Sequence, residues 1–281
     1  MLRHSIWFGC AVLTVAGLAL AACGEETSEF GDGTGNENGN GSNGTFEATE
    51  GGTSLDGAGI IVGDGGCGPS LTGTLRDFRP ASAGAAYKDF EAFISDDRDI
   101  VTDLLGADEK PIYKSSTKSL TTTGKENFDR WFRDAPGVNQ SFPFTLTMTE
   151  KDGIYTYDNS AFFPLDGKGF GNEMPSPNDG HNFHFTFELH TEFVYSGGEV
   201  FTFIGDDDLF AYINGHLAIN LGGVHGAQTG SVKLDEQAGA LGIEKGKTYR
   251  MAVFQAERHT SHSNFRVDTT IRFTNCYPII F

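Results

Sequence analysis

Three consecutive aspartates, Asp206, Asp207 and Asp208, follow Gly205 between two alternating segments. Before them Phe201 and Phe203 alternate with polar or smaller neighbours. After them Leu209, Ala211 and Ile213 resume the alternation as far as Asn214-Gly215. Alternation, a break, renewed alternation and Asn-Gly spell strand, acidic corner, strand and hairpin turn. Adjacent carboxylates repel one another and disfavour strand structure, so something must compensate them. Water can do so. A hard cation can too, since it takes oxygen ligands, and outside the cell calcium is the usual one.

Other reactive residue types are scattered. In His181-Asn-Phe-His-Phe-Thr-Phe-Glu-Leu-His190, Phe183, Phe185, Phe187 and Leu189 share one strand face, and His184, Thr186, Glu188 and His190 the other. At about 3.3 Å per residue His184 and His190 stand roughly 20 Å apart and cannot share an ion; the polar face is expected to meet solvent. Glu257-Arg258-His259 sets an acid, a fixed cation and a base side by side, but neighbours on an extended chain point to different sides, and an Arg–Glu pair pinning a loop is the expected role. The sequence has no Gly-x-Ser-x-Gly elbow, and a glycosidase would need two carboxylates facing across a cleft, which the many aspartates do not single out. Gly222-Gly-Val-His-Gly226 lacks the following helix and the lysine of a phosphate loop. The expectation is a protein that is not an enzyme.

The elements that must position the acidic corner are mostly strands. Alternation marks Leu71–Phe78, Phe142–Met148, Gly153–Tyr157, His181–His190, Phe193–Tyr195, Leu217–Leu221, Ser231–Leu234, Tyr249–Phe254 and Phe265–Phe273. Uneven apolar spacing from Phe90 through Phe93 and Ile94 to Leu105 predicts one or two short helices. Thr123-Gly-Lys-Glu126 resembles a capping box opening a helix over Asn127–Arg133 that buries Phe128, Trp131 and Phe132. The fold class predicted is all-β: an antiparallel β-sandwich, jelly-roll-like, with a few short helices.

The first 22 residues read differently. Arg3 and His4 precede an apolar run from Ile6 to Ala22, ending Leu20-Ala21-Ala22-Cys23. This reads as a secretory signal, and small residues before a cysteine resemble the bacterial lipobox, so Cys23 is expected to be lipidated. Residues 23–66, rich in Gly, Asn, Glu and Thr, cannot bury enough surface to offset their ordering entropy and are expected to be a flexible tether. The folded domain is expected over 67–281. Cys10 leaves with the signal, so Cys67 and Cys276 are left to pair in an oxidising compartment or to stay as thiols; pairing is the expectation. A formal net charge of −18 argues against nucleic acid and against anionic lipid head groups as partners. The expected location is the outer membrane or cell surface, held by lipid on Cys23.

Several motifs are similar, in order, to those of the fibro-slime domain: Gly73-Thr-Leu-Arg-Asp-Phe78, Asn127-Phe-Asp-Arg-Trp-Phe132, Phe162-Phe-Pro-Leu-Asp166, His181-Asn-Phe-His-Phe-Thr186, Gly205-Asp-Asp-Asp-Leu-Phe-Ala-Tyr-Ile-Asn214, Leu221-Gly-Gly-Val-His225, Ala256-Glu-Arg-His-Thr260 and Ser263-Asn-Phe-Arg266. The resemblance covers about residues 70–274. That family looks related to the carbohydrate-binding β-sandwich first described in anthrax protective antigen. The resemblance implies a calcium ion held by Asp206 and Asp207 across a cis peptide bond, with Asn264, or Asn220 as runner-up, completing the shell. It also implies Asp208 turned away from the ion, and His225 and His259 beside the ligand. Two readings follow: a calcium-dependent module binding an extracellular polysaccharide or glycan, or a structural part of a matrix or envelope assembly in which calcium only stiffens the fold.

Overall fold

A computed structural model describes residues 68–173 and 180–276. The alternating segments form strands β1 (Ser70–Asp77), β2 (Ser95–Asp96), β3 (Gln140–Thr147), β4 (Thr149–Lys151), β5 (Ile154–Asn159), β6 (Phe185–Val194) and β7 (Val200–Gly205). They continue as β8 (Asp208–Ile213), β9 (His216–Leu221), β10 (Gly223–Val224), β11 (Gln228–Lys233), β12 (Thr248–Glu257), β13 (Phe265–Thr269) and β14 (Phe273–Asn275). One sheet of seven strands runs β3-β1-β6-β12-β8-β9 with β14 also on β6, a second of five runs β11-β7-β13-β5-β4, and β10 pairs with β2. All pairings are antiparallel. The architecture is the expected all-β sandwich.

The period of two fixes what lies between the sheets. Leu75, Phe185, Phe187, Leu189, Leu209 and Val253 from the larger sheet meet Phe201, Phe203, Val232, Phe265 and Val267 from the smaller, all buried in one cluster. Burying each such side chain contributes roughly 1.5–3 kcal/mol before entropy is charged against it.

The opposite face of the larger sheet is not left to solvent. Phe210, Tyr212, Ala252, Phe254 and Ala256 form a second buried cluster with Phe78, Phe90, Tyr113, Phe128, Trp131 and Phe132, from the largely irregular chain between β1 and β3. The described domain therefore has three layers, and every residue of β8 is buried. This overturns the expectation of a solvated polar face on β6: His184, Glu188 and His190 are all buried, at 1%, 4% and 7% exposure. Each has an ionic partner, Glu91 and Glu173 for His184, and Glu188 for His190.

Helices are fewer and differently placed than the apolar spacing predicts. No helix covers 127–133; α1 spans Lys125–Phe128, its cap residue is Gly124, and no side chain caps it. Thr123 instead gives its backbone N–H and hydroxyl to Asp89 at 2.7 and 2.6 Å. Between Phe90 and Leu105 no helix forms, and Phe93 and Ile94 are 75% and 61% exposed. Conversely α2 (Leu234–Leu241) is a helix that the alternation does not predict.

Thr72 N donates to Cys276 O at 3.3 Å, so the two ends of the described domain meet. Cys276 is disulfide-bonded; Cys67, its expected partner, lies outside the described residues, as do the signal over 1–22, the tether over 23–66 and Cys23.

Candidate functional site

The acidic corner turns out to be a crossover between sheets. β7 belongs to the five-stranded sheet and β8 to the seven-stranded one, so Asp206 and Asp207 carry the chain from one layer to the other at the end of the sandwich. The turn is made by Asp207 in the left-handed region, φ 50°, which a short polar side chain tolerates. The cis bond implied between Asp206 and Asp207 is not there; among the described residues the cis bond joins Thr260 and Ser261. Gly205 is needed at the entry, because a Cβ there would stand 2.5 Å from Asn264 O and 2.5 Å from the Phe203 ring.

The three aspartates have separate tasks. Asp206 Oδ2 accepts from Asn264 N at 3.0 Å and Nδ2 at 2.7 Å, which ties the corner to the start of β13. Asp206 Oδ1 is buried and has no partner. Asp207 accepts from His225 N at 3.0 Å and from Arg258 N at 2.8 Å. Asp208 leaves the corner altogether: its Oδ2 takes Arg258 Nε at 2.6 Å and its Oδ1 takes Gly223 N at 2.7 Å. Side-chain exposure is 0% for both Asp208 and Arg258. Arg258 also donates to Asp89 O, Thr121 O and Thr121 Oγ1 at 2.8–3.1 Å and lies 4.5 Å over the Trp131 ring. It therefore bolts the irregular third layer to the acidic corner. The expected Arg258–Glu257 pairing is wrong, because alternation along β12 puts the two side chains on opposite faces of the sheet.

Electrostatics mark the corner as strained for charge. Burial pushes Asp207 up to about 7, the Arg258 charge opposing it and the Asp208 charge adding to it. Burial also raises Asp206, against its bonds from Asn264. Burial would strip Arg258 of its proton, but Asp208 and then Asp207 hold its pKa above the usual value. Glu257, read in the sequence only as a partner for Arg258, is fully buried with no hydrogen bond to either carboxylate oxygen. Burial, and then the charges of Asp207 and Asp206, push it well above the usual range. Gln255 on the same strand face has both amide atoms unpartnered, as has the Ser263 hydroxyl. Buried groups without partners are rare in folded proteins and call for an ion or water; here they gather under one corner.

Above the corner opens a cleft of about 150 Å³ lined by Asp206, Asp207, His225, His259 and the 260–262 loop, with Ile94 on its lip. His225 Nδ1 and Nε2 face Gly226 O and Leu221 O at 3.0 and 3.1 Å. His259 Nε2 lies 3.5 Å from Glu91 Oε2, and Glu91 also accepts from Thr260 N. Asn264 stands behind Asp206 as described. Asn220, the runner-up, is not at the cleft: its amide donates to Arg98 O and accepts from Gly222 N, bracing the chain after β9. Asp206, Asp207, His225 and His259 thus line one cleft and Asn264 bonds to Asp206, whereas Asn220 serves a loop.

The donor set suits a hard cation. Two carboxylates, one with a free buried oxygen, face a cleft, and each is pushed toward protonation by burial in a way that a cation would reverse. Among the described residues no group of three or more His, Cys, Asp or Glu side chains forms a ready ion cage, so an ion here would draw its remaining ligands from amide and backbone oxygens or from a bound molecule.

Residues 166–278 match the family model of the PA14 domain. Among curated proteins, psiD of Dictyostelium discoideum is 40% identical over 186 residues, covering 62% of this chain and 36% of that protein. From the same organism psiC is 37% identical over 221 residues, 73% of this chain and 41% of that protein. The chain thus spans well under half the length of these relatives. Among solved structures, the PA14 sugar-binding domain from an RTX adhesin shares 10% identity and covers 75% of this chain and 95% of its own, with a TM-score of 0.28. The PA14 domain of the MpAFP antifreeze protein shares 10% identity over 46% of this chain and 79% of its own, with a TM-score of 0.27.

Proposed function

We propose that this chain is a calcium-dependent, adhesion-type carbohydrate-binding module, exported and held at the outer membrane or cell surface by lipid on Cys23. The observation that carries the reading is the unpartnered, buried Oδ1 of Asp206 beside Asp207 on the floor of an open cleft, within the segment that matches the PA14 domain. Asp206, Asp207 and Asn264 would hold the ion, which when bound presents a Lewis-acidic centre to vicinal hydroxyls. Arg258 N and His225 N orient Asp207, while Asn264 orients Asp206. The lip residue Ile94 and its neighbour Phe93 offer exposed apolar surface of the kind that the C–H face of a sugar ring covers.

Calorimetry on the full chain tests the ion. Calcium binding should weaken at least 100-fold in Asp206→Ala, and an array should contain glycans whose capture is lost both with a chelator and in Asp206→Ala. An array on which every captured glycan persists in chelator and in Asp206→Ala would sink the reading, and calcium binding without any calcium-dependent glycan would leave only a stiffening role. Phe93→Ala with Ile94→Ala should weaken glycan capture about 5- to 20-fold, the order of 1–2 kcal/mol for lost apolar contact, without changing calcium affinity. Cys23→Ser should release the protein from the membrane fraction; retention would refute the lipid anchor.

A further inference from the structure

A larger depression, about 540 Å³, lies on the outer face of the seven-stranded sheet and shares no lining residue with the acidic cleft. Its volume is in the range of small-molecule sites, about 300–1,000 Å³. Thr72 and Thr74 of β1 form its floor together with Glu188 and His190 of β6. Its walls come from β3 and from the third layer.

The charged groups at its foot are held unusually deep. Arg76 donates through Nη1 to Glu188 Oε2 at 2.6 Å and through Nε to Asp134 Oδ1 at 2.9 Å. Glu188 Oε1 takes His190 Nε2 at 2.7 Å and also Lys110 Nζ. Arg76, Glu188 and His190 side chains are only 8%, 5% and 7% exposed, and Lys110 is 13% exposed. On the wall Arg133 pairs with Asp108 at 2.8 Å. Every one of these cations already faces a carboxylate, so the groove offers no uncompensated charge to an anion or a cation. What it does offer is guanidinium and hydroxyl donors beside carboxylate and hydroxyl acceptors, interrupted by the apolar surfaces of Phe132, Phe142 and Pro143. A ligand matching this must donate and accept hydrogen bonds in turn while presenting C–H faces, and must carry no net charge.

We infer that this groove is a second binding site, for a neutral polyhydroxylated ligand of the oligosaccharide class, and that it works without a metal ion. It does not rest on the acidic cleft, whose residues it does not use. Against the raising effect of burial, the His190 bond and the Arg76 and Lys110 charges hold Glu188 at about 2. Bonds from Ser141 and Arg76 keep Asp134 low as well, so both of these carboxyls act as hydrogen-bond acceptors. Two saccharide sites on one module would let a single chain bridge polymer strands or grip one strand twice, raising avidity by effective concentration.

The test uses the full chain in excess EDTA, which silences the acidic cleft, with linear β-1,3- and β-1,4-linked glucose hexamers and α-linked mannose oligomers as probes and oligogalacturonate as the charged counterpart. Titration calorimetry should show at least one neutral probe binding at millimolar affinity or better. Hydrogen exchange should protect residues 72–76 and 186–190, and Asp206→Ala should bind equally well. Thr74→Trp, which fills the groove directly across the strands from Glu188, should weaken binding at least tenfold. Arg133→Ala, altering only the wall, should weaken it about threefold and serves if Thr74→Trp does not fold. No neutral probe bound in EDTA, oligogalacturonate alone bound, or full binding by folded groove variants would each overturn the inference.

Discussion

Replacing Asp208 by alanine should lower the stability of the fold by about 3–5 kcal/mol, the loss expected when one member of a buried ion pair is removed and the other stays behind. Arg258 is entirely enclosed, and what remains to its side chain is the neutral oxygens of Asp89 and Thr121, the Trp131 ring and the charge of Asp207 nearby. The same change frees Gly223 N, which Asp208 Oδ1 holds at 2.7 Å. A urea titration should show the loss as a lower midpoint, and the double variant Asp208→Leu, Arg258→Met should recover most of it, because the stranded charge is gone. Asp206→Ala should cost the metal-free fold less, since it leaves two neutral donors of Asn264 without their acceptor rather than a buried charge without its partner. A loss below about 1 kcal/mol for Asp208→Ala would mean that Arg258 is compensated by something other than this pair.

The second large effect is a pH dependence that calcium should cancel. Asp207 is raised to about 7 and Asp206 and Glu257 are raised as well, in each case first by burial. Folding therefore takes up protons at the corner. That contribution is fully present below the ordinary carboxyl value, near pH 4, and is lost as the pH rises through about 7. Each tenfold difference in proton affinity between the folded and unfolded chain is worth about 1.4 kcal/mol. The metal-free chain should therefore lose on the order of a few kcal/mol between pH 5 and pH 8. Glu188 acts in the opposite sense: held at about 2, it contributes above the ordinary glutamate value and fails only as the pH drops through 2. Urea midpoints at pH 5 and pH 8, in EDTA and in calcium, measure this directly. Calcium at a hundred times its dissociation constant should add about 2.7 kcal/mol, chiefly at pH 8, where the carboxylates are free of protons. Identical slopes with and without calcium would show that the ion does not bind at these carboxylates.

Much of this site was legible because it is local. Gly205, the aspartate run and Asn214-Gly215 mark a corner between two strands, and the Phe183–Leu189 alternation identifies one buried strand face. What alternation cannot report is whether the second face is also covered. Glu188 and His190 look solvated in sequence yet lie beneath a layer contributed by residues 78–139, whose aromatic positions follow neither a period of two nor one of 3.6. Asp208 and Arg258 are fifty positions apart, so nothing near either of them announces the pair. Adjacency suggests Glu257 as the partner of Arg258, although the pleat sends neighbours to opposite faces. The helix Leu234–Leu241 did leave a signal: Leu234, Ala238 and Leu241 fall at i, i+4 and i+7, a helical spacing that a strand reading of Ser231–Leu234 conceals. At the corner itself Asp207 takes a positive φ, a choice open to aspartate that residue type alone does not reveal.

The order of strands in the larger sheet bears on where the protein can be cut. β1 sits between β3 and β6, and β5 and β4 complete the smaller sheet beyond β13, yet β1, β3, β4 and β5 all precede residue 166, where the family match begins. A recombinant fragment trimmed to 166–278 would expose the backbone edge of β6 and uncover Phe210, Tyr212 and Phe254. It would also strand Arg258 without Asp89, Thr121 and Trp131. Such a fragment is expected to aggregate through its open edges, whereas a fragment that begins ahead of β1 keeps strands β1–β14 together. The stretch that carries the recognisable motif is shorter than the unit that folds.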